Sequence, residues 1–293
     1  MDQQDWLAER FEQHRPRLRA VSYRMLGSLS EADDAVQEAW LRFSGADTSA
    51  VQDLGAWLTT VVARICLNAL RSRKARPEEP LGAHLPDPIV SAVGAVNPED
   101  EALLADSVGL ALLVVLDSLA PAERLAFVLH DVFDVPFEQV APIVDRSEAA
   151  TRQLASRARR RLRTTGTSDV DVAKQWELVD AFLAAARDGD FDGLLKVLDP
   201  DVVRRVDAGA TLPGVPPILR GAQAVASGAL GFQKLGYVSR RALINGGPGV
   251  VSFAGDEPVS VVGFTIAGGK IVEMNILTDP ARLRQLDLTV VAV

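Results

Sequence analysis

Five polar side chains near the middle of the chain recur at steps of one, three and four residues, which places them on one face of a helix. They are Arg152, Gln153, Ser156, Arg157 and Arg160. The guanidinium fork of arginine can bind guanine O6 and N7 together, and the glutamine amide can pair with adenine. This helix is therefore expected to read the edges of DNA bases, with the arginines that follow it suited to phosphates. The alternative is a solvated, arginine-rich helix of a bundle.

The segment in front of this helix has the features of a helix-turn-helix. Phe137–Val144 predicts a short first helix, which a tight turn at Asp145 and Arg146 ends. Ser147 is the expected N-cap of the second helix. Small and apolar residues are expected to pack the second helix on the side opposite its polar face. These are Ala150, Leu154, Ala158 and Leu162.

Two further stretches with helical periodicity carry polar faces. The first offers charged and amide side chains along one exposed side, a surface suited to a charged partner helix. Its members are Asp33, Asp34, Gln37, Glu38 and Arg42. Standing alone, this stretch would be interpreted as an ordinary capped surface helix. The second is a long predicted helix that combines positive charge with an amide able to donate and accept hydrogen bonds. The residues concerned are Arg64, Asn68, Arg71 and Arg73.

These stretches, in this order and spacing, resemble the extracytoplasmic-function sigma factors, the small subunits that direct bacterial RNA polymerase to promoters. Glu31–Arg42 is similar to region 2.2 of that family. The resemblance implies that its polar face docks on the clamp helices of the polymerase β′ subunit. It also implies that the helix-turn-helix is region 4.2, which reads the minus-35 element.

The stretch Gly55–Arg71 resembles the promoter-melting helix of the same family. Opening DNA requires a pocket for an unstacked base and a basic track for single-strand phosphates. The resemblance implies that Asn68 and the loop Asp47–Leu54 form the base pocket for the minus-10 element. The charge of the track would come from Arg64, Arg71 and Arg73.

Charge is unevenly distributed along the 293 residues, although the net charge is −8. Residues 77–120 contain eight acidic and no basic side chains, whereas basic residues cluster at 71–76 and 146–163. Such clusters, rather than the net charge, indicate nucleic-acid binding. We expect four segments: sigma region 2 at 1–76, an acidic, proline-rich linker at 77–105, sigma region 4 at 106–165 and a further domain at 170–288.

Beyond residue 170 one amphipathic helix is followed by short β-branched runs between glycines and prolines, which predicts an α+β domain. The runs are Val202–Val206, Val250–Phe253, Val259–Ile266 and Ile271–Ile276. The entry to this domain, 184–200, resembles SnoaL-like domains, the cone-shaped fold of ketosteroid isomerase and polyketide cyclases. The expected fold is thus multidomain: two all-α sigma domains, the second a helix-turn-helix, followed by an α+β SnoaL-like cone.

Some sigma factors with such a cone carry a Trp-Leu-Pro-Glu-Pro motif in the linker and an aspartate followed by three glycines and a lysine early in the cone. The counterparts here are His84, Leu85, Pro86, Asp87 and Pro88, with histidine at the tryptophan position, and Asp207. The resemblance implies that the two motifs meet, and that the cone regulates the sigma domains in place of an anti-sigma factor. The cone could also take a small-molecule ligand.

A catalytic role for the cone has little support in its residue types. Residues 167–293 contain no histidine and no cysteine, so the candidates reduce to Asp201, Asp207 and Asp256, with Tyr237 as a polar partner. Their spacing identifies no base, and we expect no enzyme. Two alternatives stay open: a cyclase or isomerase with a DNA-binding appendage, and a ligand-responsive helix-turn-helix repressor.

The remaining composition limits the classes of site. A single cysteine, Cys66, excludes an internal disulfide, and three histidines make a protein-bound metal unexpected. No apolar run approaches the roughly 18 residues of a membrane span, and the first residues are acidic, unlike those of a signal peptide. We therefore expect a cytoplasmic protein without cofactor or membrane contact, whose partners are core RNA polymerase and promoter DNA.

Overall fold

The computed structural model describes residues 3–47, 51–75, 84–94, 109–162, 172–209 and 216–291. The chain divides into two compact units. The first comprises Met1–Glu79, Pro98–Asp106 and Leu113–Thr164, and the second Pro80–Asn97, Ser107–Leu112 and Thr165–Val293. Within the described parts, no helix combines the length and the apolar character that crossing a membrane requires.

The first unit begins with four helices, α1 (Gln3–Glu12), α2 (Arg15–Leu26), α3 (Leu29–Ser44) and α4 (Leu54–Ala75). Gly27, at φ 75°, ends α2 in the left-handed conformation that glycine adopts without strain. Ser28 then caps α3 by accepting a hydrogen bond from the Glu31 amide at 3.5 Å. Leu18, Val21 and Phe43 are fully buried and form part of the core between these helices.

The next helical elements are α5 (Leu110–Asp117), α6 (Pro121–Phe127), a π-helical turn at Val128–Val132, α7 (Phe137–Val144) and α8 (Glu148–Leu162). They belong to the first unit except for the start of α5, residues 110–112, which belongs to the second. The predicted helix-turn-helix is α7 and α8. Asp145 adopts φ 58° at the end of α7, and Ser147 Oγ accepts a hydrogen bond from the Ala150 amide at 3.3 Å. These two residues fix the turn, as the sequence predicts.

The packing face of α8 is displaced by one residue from the predicted one at its start. Thr151 and Ala155 are fully buried, whereas the predicted Ala150 and Leu154 are only half-buried. Thr151 can be buried because its hydroxyl donates a hydrogen bond to the Ser147 carbonyl at 3.0 Å, which satisfies the polar group within the helix. The prediction for the second half of α8, which buries Ala158 and Leu162, is correct.

A buried arginine joins the two halves of the first unit. Arg124 of α6 donates from Nε to the carbonyl of Arg24 in α2 at 3.0 Å, and from Nη1 to Asp117 Oδ1 at 2.9 Å. Burial lowers the pKa of the Arg124 guanidinium, and the neighbouring Asp117 carboxylate opposes that shift. The Arg24 guanidinium in turn lies 5.1 Å from the centre of the Phe133 ring. The two helical segments expected as sigma regions 2 and 4 are therefore packed together in the first unit.

The second unit is built on a seven-stranded sheet. Its strands are β1 (Val90–Ser91), β2 (Leu198–Asp207), β3 (Ile218–Arg220), β4 (Val238–Ile244), β5 (Gly247–Ala254), β6 (Glu257–Ala267) and β7 (Lys270–Leu277). The order is β1-β4-β5-β6-β7-β2-β3, and the pair β2 and β7 is parallel while the others are antiparallel. The four predicted strands are β2, β5, β6 and β7.

Helices cover one face of this sheet, and shorter elements cover the other. Residues of α9 (Val172–Asp188), α10 (Phe191–Val197) and α11 (Ala222–Gln233) form one apolar core with β5, β6 and β7. On the opposite face a second core includes Val90, Leu110 and residues of α12 (Pro280–Leu283). The segment 84–94, which falls within the predicted linker, therefore belongs to the second unit through β1.

Cys66 provides a test of the packing in the first unit. Burial raises the pKa of its thiol from 9.0 to about 12. Only the thiolate reacts with iodoacetamide, so we expect alkylation at pH 8 to be about a thousandfold slower in the folded protein than in urea. Mass spectrometry of timed reactions measures both rates. Equal rates would contradict the buried position of Cys66.

Candidate nucleic-acid and protein interfaces

All five side chains expected to read DNA lie exposed on the outer face of α8. They are Arg152, Gln153, Ser156, Arg157 and Arg160. The buried residues of α8 lie on the opposite side, so the polar face is turned toward solvent. The helix thus has the form of a recognition helix, with arginine and glutamine available to base edges.

Arg152 is held by residues on both helices of the helix-turn-helix. Its guanidinium pairs with Glu148 one turn earlier in α8. It also lies 5.5 Å from the centre of the Phe137 ring at the start of α7. Phe137 stacks in turn on His130 with ring centres 3.6 Å apart. This stack supports the arginine from the side opposite the solvent, a contact that spacing within α8 could not reveal.

Carboxylates outside the helix-turn-helix pair with three more arginines of α8. Glu123 of α6 lies 3.1 Å from Arg157 Nε and 3.5 Å from Arg161 Nη1. Asp131 lies 2.6 Å from Arg159 Nε. The sequence-based reasoning missed both acids, because they precede their arginine partners by 28 to 38 positions and nothing local marks the pairs.

The exposed face of α4 carries three of the four residues expected at the minus-10 element. Arg64, Asn68 and Arg71 are all exposed and are separated by four and three residues, so they form a line along the helix. Arg73 does not join them. Its guanidinium donates to the Leu26 carbonyl at 3.4 Å and pairs with Glu31. Part of the expected base-pocket loop, 48–50, lies outside the described residues.

The expected polymerase-binding face is on α3. All its members are exposed: Asp33, Asp34, Gln37, Glu38 and Arg42. Two local ion pairs organise it, Arg19 with Asp33 at 2.7 Å and Arg42 with Glu38 at 2.6 Å. Leu41 lies among these charges and is 63% exposed. It was not predicted as a site residue, although it follows Gln37 by four positions and Glu38 by three, a spacing that places it on this face.

In the second unit, the two motifs identified in the linker and the cone meet. The backbone amide of Leu85 donates to Asp207 Oδ2 at 2.8 Å. His84 Nδ1 lies 3.5 Å from the same oxygen, and its side chain is largely exposed. Pro86 and Pro88 are buried beside this contact. An aspartate at the end of β2 thus recognises the main chain of the linker segment.

Arg282 of α12 completes this contact and was missed by sequence reasoning. It pairs with both Asp207 and Asp87, and it donates from Nη2 to the Leu85 carbonyl at 2.7 Å. One guanidinium therefore joins the linker segment, strand β2 and helix α12. Arg282 follows Asp87 by 195 positions, and no periodicity or motif connects them.

The four candidates for catalysis in the cone do not form a cluster. Asp207 is engaged with Arg282 and the linker segment. Asp201 and Asp256 are exposed, the latter between β5 and β6. Tyr237 lies in a connection, where its ring contacts Phe232 at 5.3 Å. These four side chains therefore do not converge on one site.

Comparison with known proteins relates both helical regions to sigma factors. The family described as Sigma-70 region 2 matches residues 10–76, and the one described as Sigma-70, region 4 matches residues 109–162. The ECF RNA polymerase sigma factor SigJ of Mycobacterium tuberculosis is 38% identical over 286 residues, 92% of this chain and 91% of SigJ. The chain belongs to the extracytoplasmic-function (ECF) family of sigma factors.

The likeness of this ECF sigma factor to its relatives extends over the C-terminal domain. A probable ECF sigma factor of M. tuberculosis, SigI, is 33% identical over 296 residues, 98% of each chain. The crystal structure of M. tuberculosis SigJ matches with a TM-score of 0.78 and 34% identity, covering 96% of this chain and 99% of that one. The expected fold class, helical sigma domains followed by an α+β SnoaL-like domain, is confirmed.

Proposed function

We propose that this ECF sigma factor binds core RNA polymerase through the exposed face of α3 and reads its promoter through α4 and α8. Its SnoaL-like domain regulates initiation in place of an anti-sigma factor and carries out no catalysis. The observation that carries the proposal is the exposed Arg/Gln face of α8, because base reading requires these groups to be free of the core. The other surfaces follow from their position in the same chain.

The line of Arg64, Asn68 and Arg71 on α4 suits single-stranded DNA. An amide can hydrogen-bond the edge of an unstacked base, and the flanking arginines can hold the phosphates on either side. Arg73 is left out of this surface, because its ion pair with Glu31 and its bond to the Leu26 carbonyl fix it between helices.

Regulation by the cone is supported by the contact between Leu85, Asp207 and Arg282. Residues 84–91 lie between the two sigma regions in sequence, and the cone holds them by hydrogen bonds, an ion pair and the β1 pairing. The cone is therefore attached to the chain that joins region 2 to region 4. A change at the cone could therefore alter the separation that the two regions can reach.

That separation matters because the two regions must come apart on a promoter. Elements at minus 10 and minus 35 are about 25 base pairs apart, or roughly 85 Å along B-form DNA. The hydrogen bond from Arg124 to the Arg24 carbonyl, at 3.0 Å, instead holds α2 and α6 together. We infer that the free protein is closed, and that binding to polymerase and promoter breaks this packing.

Arg152→Ala tests the reading surface. We expect about a tenfold loss of initiation in run-off transcription with core polymerase on the promoter of the protein's own gene, since one bidentate arginine contact is worth about that much. On a template with a substituted minus-35 element the variant and the parent should be equally weak.

The control is Arg187→Ala, which removes an exposed arginine of α9 that pairs only with the adjacent, exposed Asp188 among the described residues. Its transcription should equal that of the parent. Full activity of Arg152→Ala would contradict the assignment. Tight, specific binding of the parent to this DNA without polymerase, together with no transcription, would favour the repressor.

A further inference from the structure

We propose that Glu123 is a positioning residue for promoter recognition, which fixes Arg157 and Arg161 in the orientation that DNA meets. The inference rests on the proposed function of α8. Glu123 lies outside the helix-turn-helix, in α6, and the sequence gives no indication that it acts on DNA. Its effect would be indirect, through the two arginines.

The geometry shows a single buried anion beneath two exposed cations. Glu123 is 7% exposed, and its two carboxylate oxygens face different arginines. Oε1 lies 3.1 Å from Arg157 Nε, and Oε2 lies 3.5 Å from Arg161 Nη1. The arginine side chains themselves are more than half exposed. Both arginines are thus paired with the same buried carboxylate.

A buried carboxylate needs such partners, because an unpaired charge in the interior is strongly unfavourable. This pairing affects both the carboxylate and the arginines. It keeps Glu123 tied to the arginines, and it restricts arginine side chains that would otherwise sample many rotamers. Fixing those rotamers before binding lowers the conformational entropy lost on binding. The carboxylate therefore prepares Arg157 for a base or phosphate contact.

The shape of the surface agrees with an anionic ligand. Arg157 and Arg161 line an open recess of about 600 Å³ together with Val115, Ser118 and Arg160. Three of the five lining residues are arginines, and the Glu123 carboxylate pairs with two of them. A DNA strand, which carries a charge on every phosphate, fits this arrangement.

Asp131 provides a matched comparison. It pairs with Arg159 of the same helix at 2.6 Å, and Arg159 is not one of the expected reading residues. Asp131→Asn and Glu123→Gln each remove one negative charge near α8, so any general change in attraction to DNA is shared. Only Glu123→Gln releases Arg157.

The experiment measures run-off transcription by the holoenzyme on two templates, one with the natural minus-35 element and one with that element substituted. We expect Glu123→Gln to lower initiation on the natural element about tenfold, as loss of one arginine contact would. On the substituted element it should match the parent. Asp131→Asn should stay within about twofold of the parent on both. The triple variant Glu123→Gln/Arg157→Ala/Arg161→Ala should be no weaker than Arg157→Ala/Arg161→Ala, because the first change acts through these two arginines.

Three results would overturn the inference. The first is that Glu123→Gln prefers the natural over the substituted minus-35 element as strongly as the parent does, while Arg157→Ala loses this preference. That result would leave the proposed function intact. The second is a further loss in the triple variant relative to Arg157→Ala/Arg161→Ala, which indicates a structural role for Glu123. The third is full activity of Arg157→Ala, which removes the proposed role of that arginine as well. If Glu123→Gln does not fold, Glu123→Asp keeps the charge but shortens its reach, and the same discrimination loss is expected.

Discussion

Leu41→Asp is expected to abolish promoter-dependent transcription without unfolding the protein. Leu41 is 63% exposed on α3, so replacing it removes little packing. A large apolar side chain surrounded by Gln37, Glu38 and Arg42 has the pattern of an interface anchor, which charged residues surround. An aspartate at this position would lose its hydration when polymerase binds, which makes the binding free energy less favourable. We expect core polymerase to bind about 30-fold more weakly, or worse.

Competition for core polymerase against the labelled parent protein measures this loss, and thermal unfolding checks the fold. Leu235→Asp is the matched control, since Leu235 is a comparably exposed leucine, at 59%, between α11 and β4 of the cone. It should compete as the parent does. Undiminished competition by Leu41→Asp would show that polymerase binds another surface.

Arg282→Met is expected to release the linker segment from the cone. Arg282 is about 15% exposed and faces Asp207, Asp87 and the Leu85 carbonyl. Methionine keeps the length of the side chain but leaves two mostly buried carboxylates without their cation. Removing one partner of a buried pair costs about 3–5 kcal/mol, so the second unit should lose a comparable part of its free energy of unfolding.

Urea unfolding measures the stability, and limited proteolysis reports whether the linker is released. Arg284→Met is the control, because Arg284 lies exposed two residues further on.

Transcription by the same two variants tests regulation. A change of initiation in either direction by Arg282→Met, with Arg284→Met unchanged, would support control by the cone. Loss of the linker contact with unaltered initiation would contradict it.

Local chemistry explains why the helix-turn-helix could be predicted from sequence. The end of its first helix and the start of its second depend on residues that act within one turn. These are Asp145, in the left-handed region, and Ser147, the N-cap. The exposed face of α8 follows from helical spacing alone. The same reasoning placed four long strands of the cone, because β-branched alternation is itself local.

The missed elements and residues depend on distant parts of the chain. Strand β4 contains Arg240 and Arg241 and lacks a clear alternation, so its pairing with β5 decides its conformation. Arg73 pairs with Glu31 over 42 positions in sequence, and Arg282 pairs with Asp87 over 195 positions. A sequence can list such groups but cannot say which of them the fold brings together.

Two of the contacts that hold the linker segment on the cone use the amide and the carbonyl of Leu85. Every residue except proline presents both groups, so these two bonds fix the path of the backbone, while the buried Leu85 side chain adds packing. The neighbouring His84 side chain is 62% exposed, so the attachment does not depend on its packing. The charges in the attachment are those of Asp87, Asp207 and Arg282, which places its specificity in three side chains far apart in sequence.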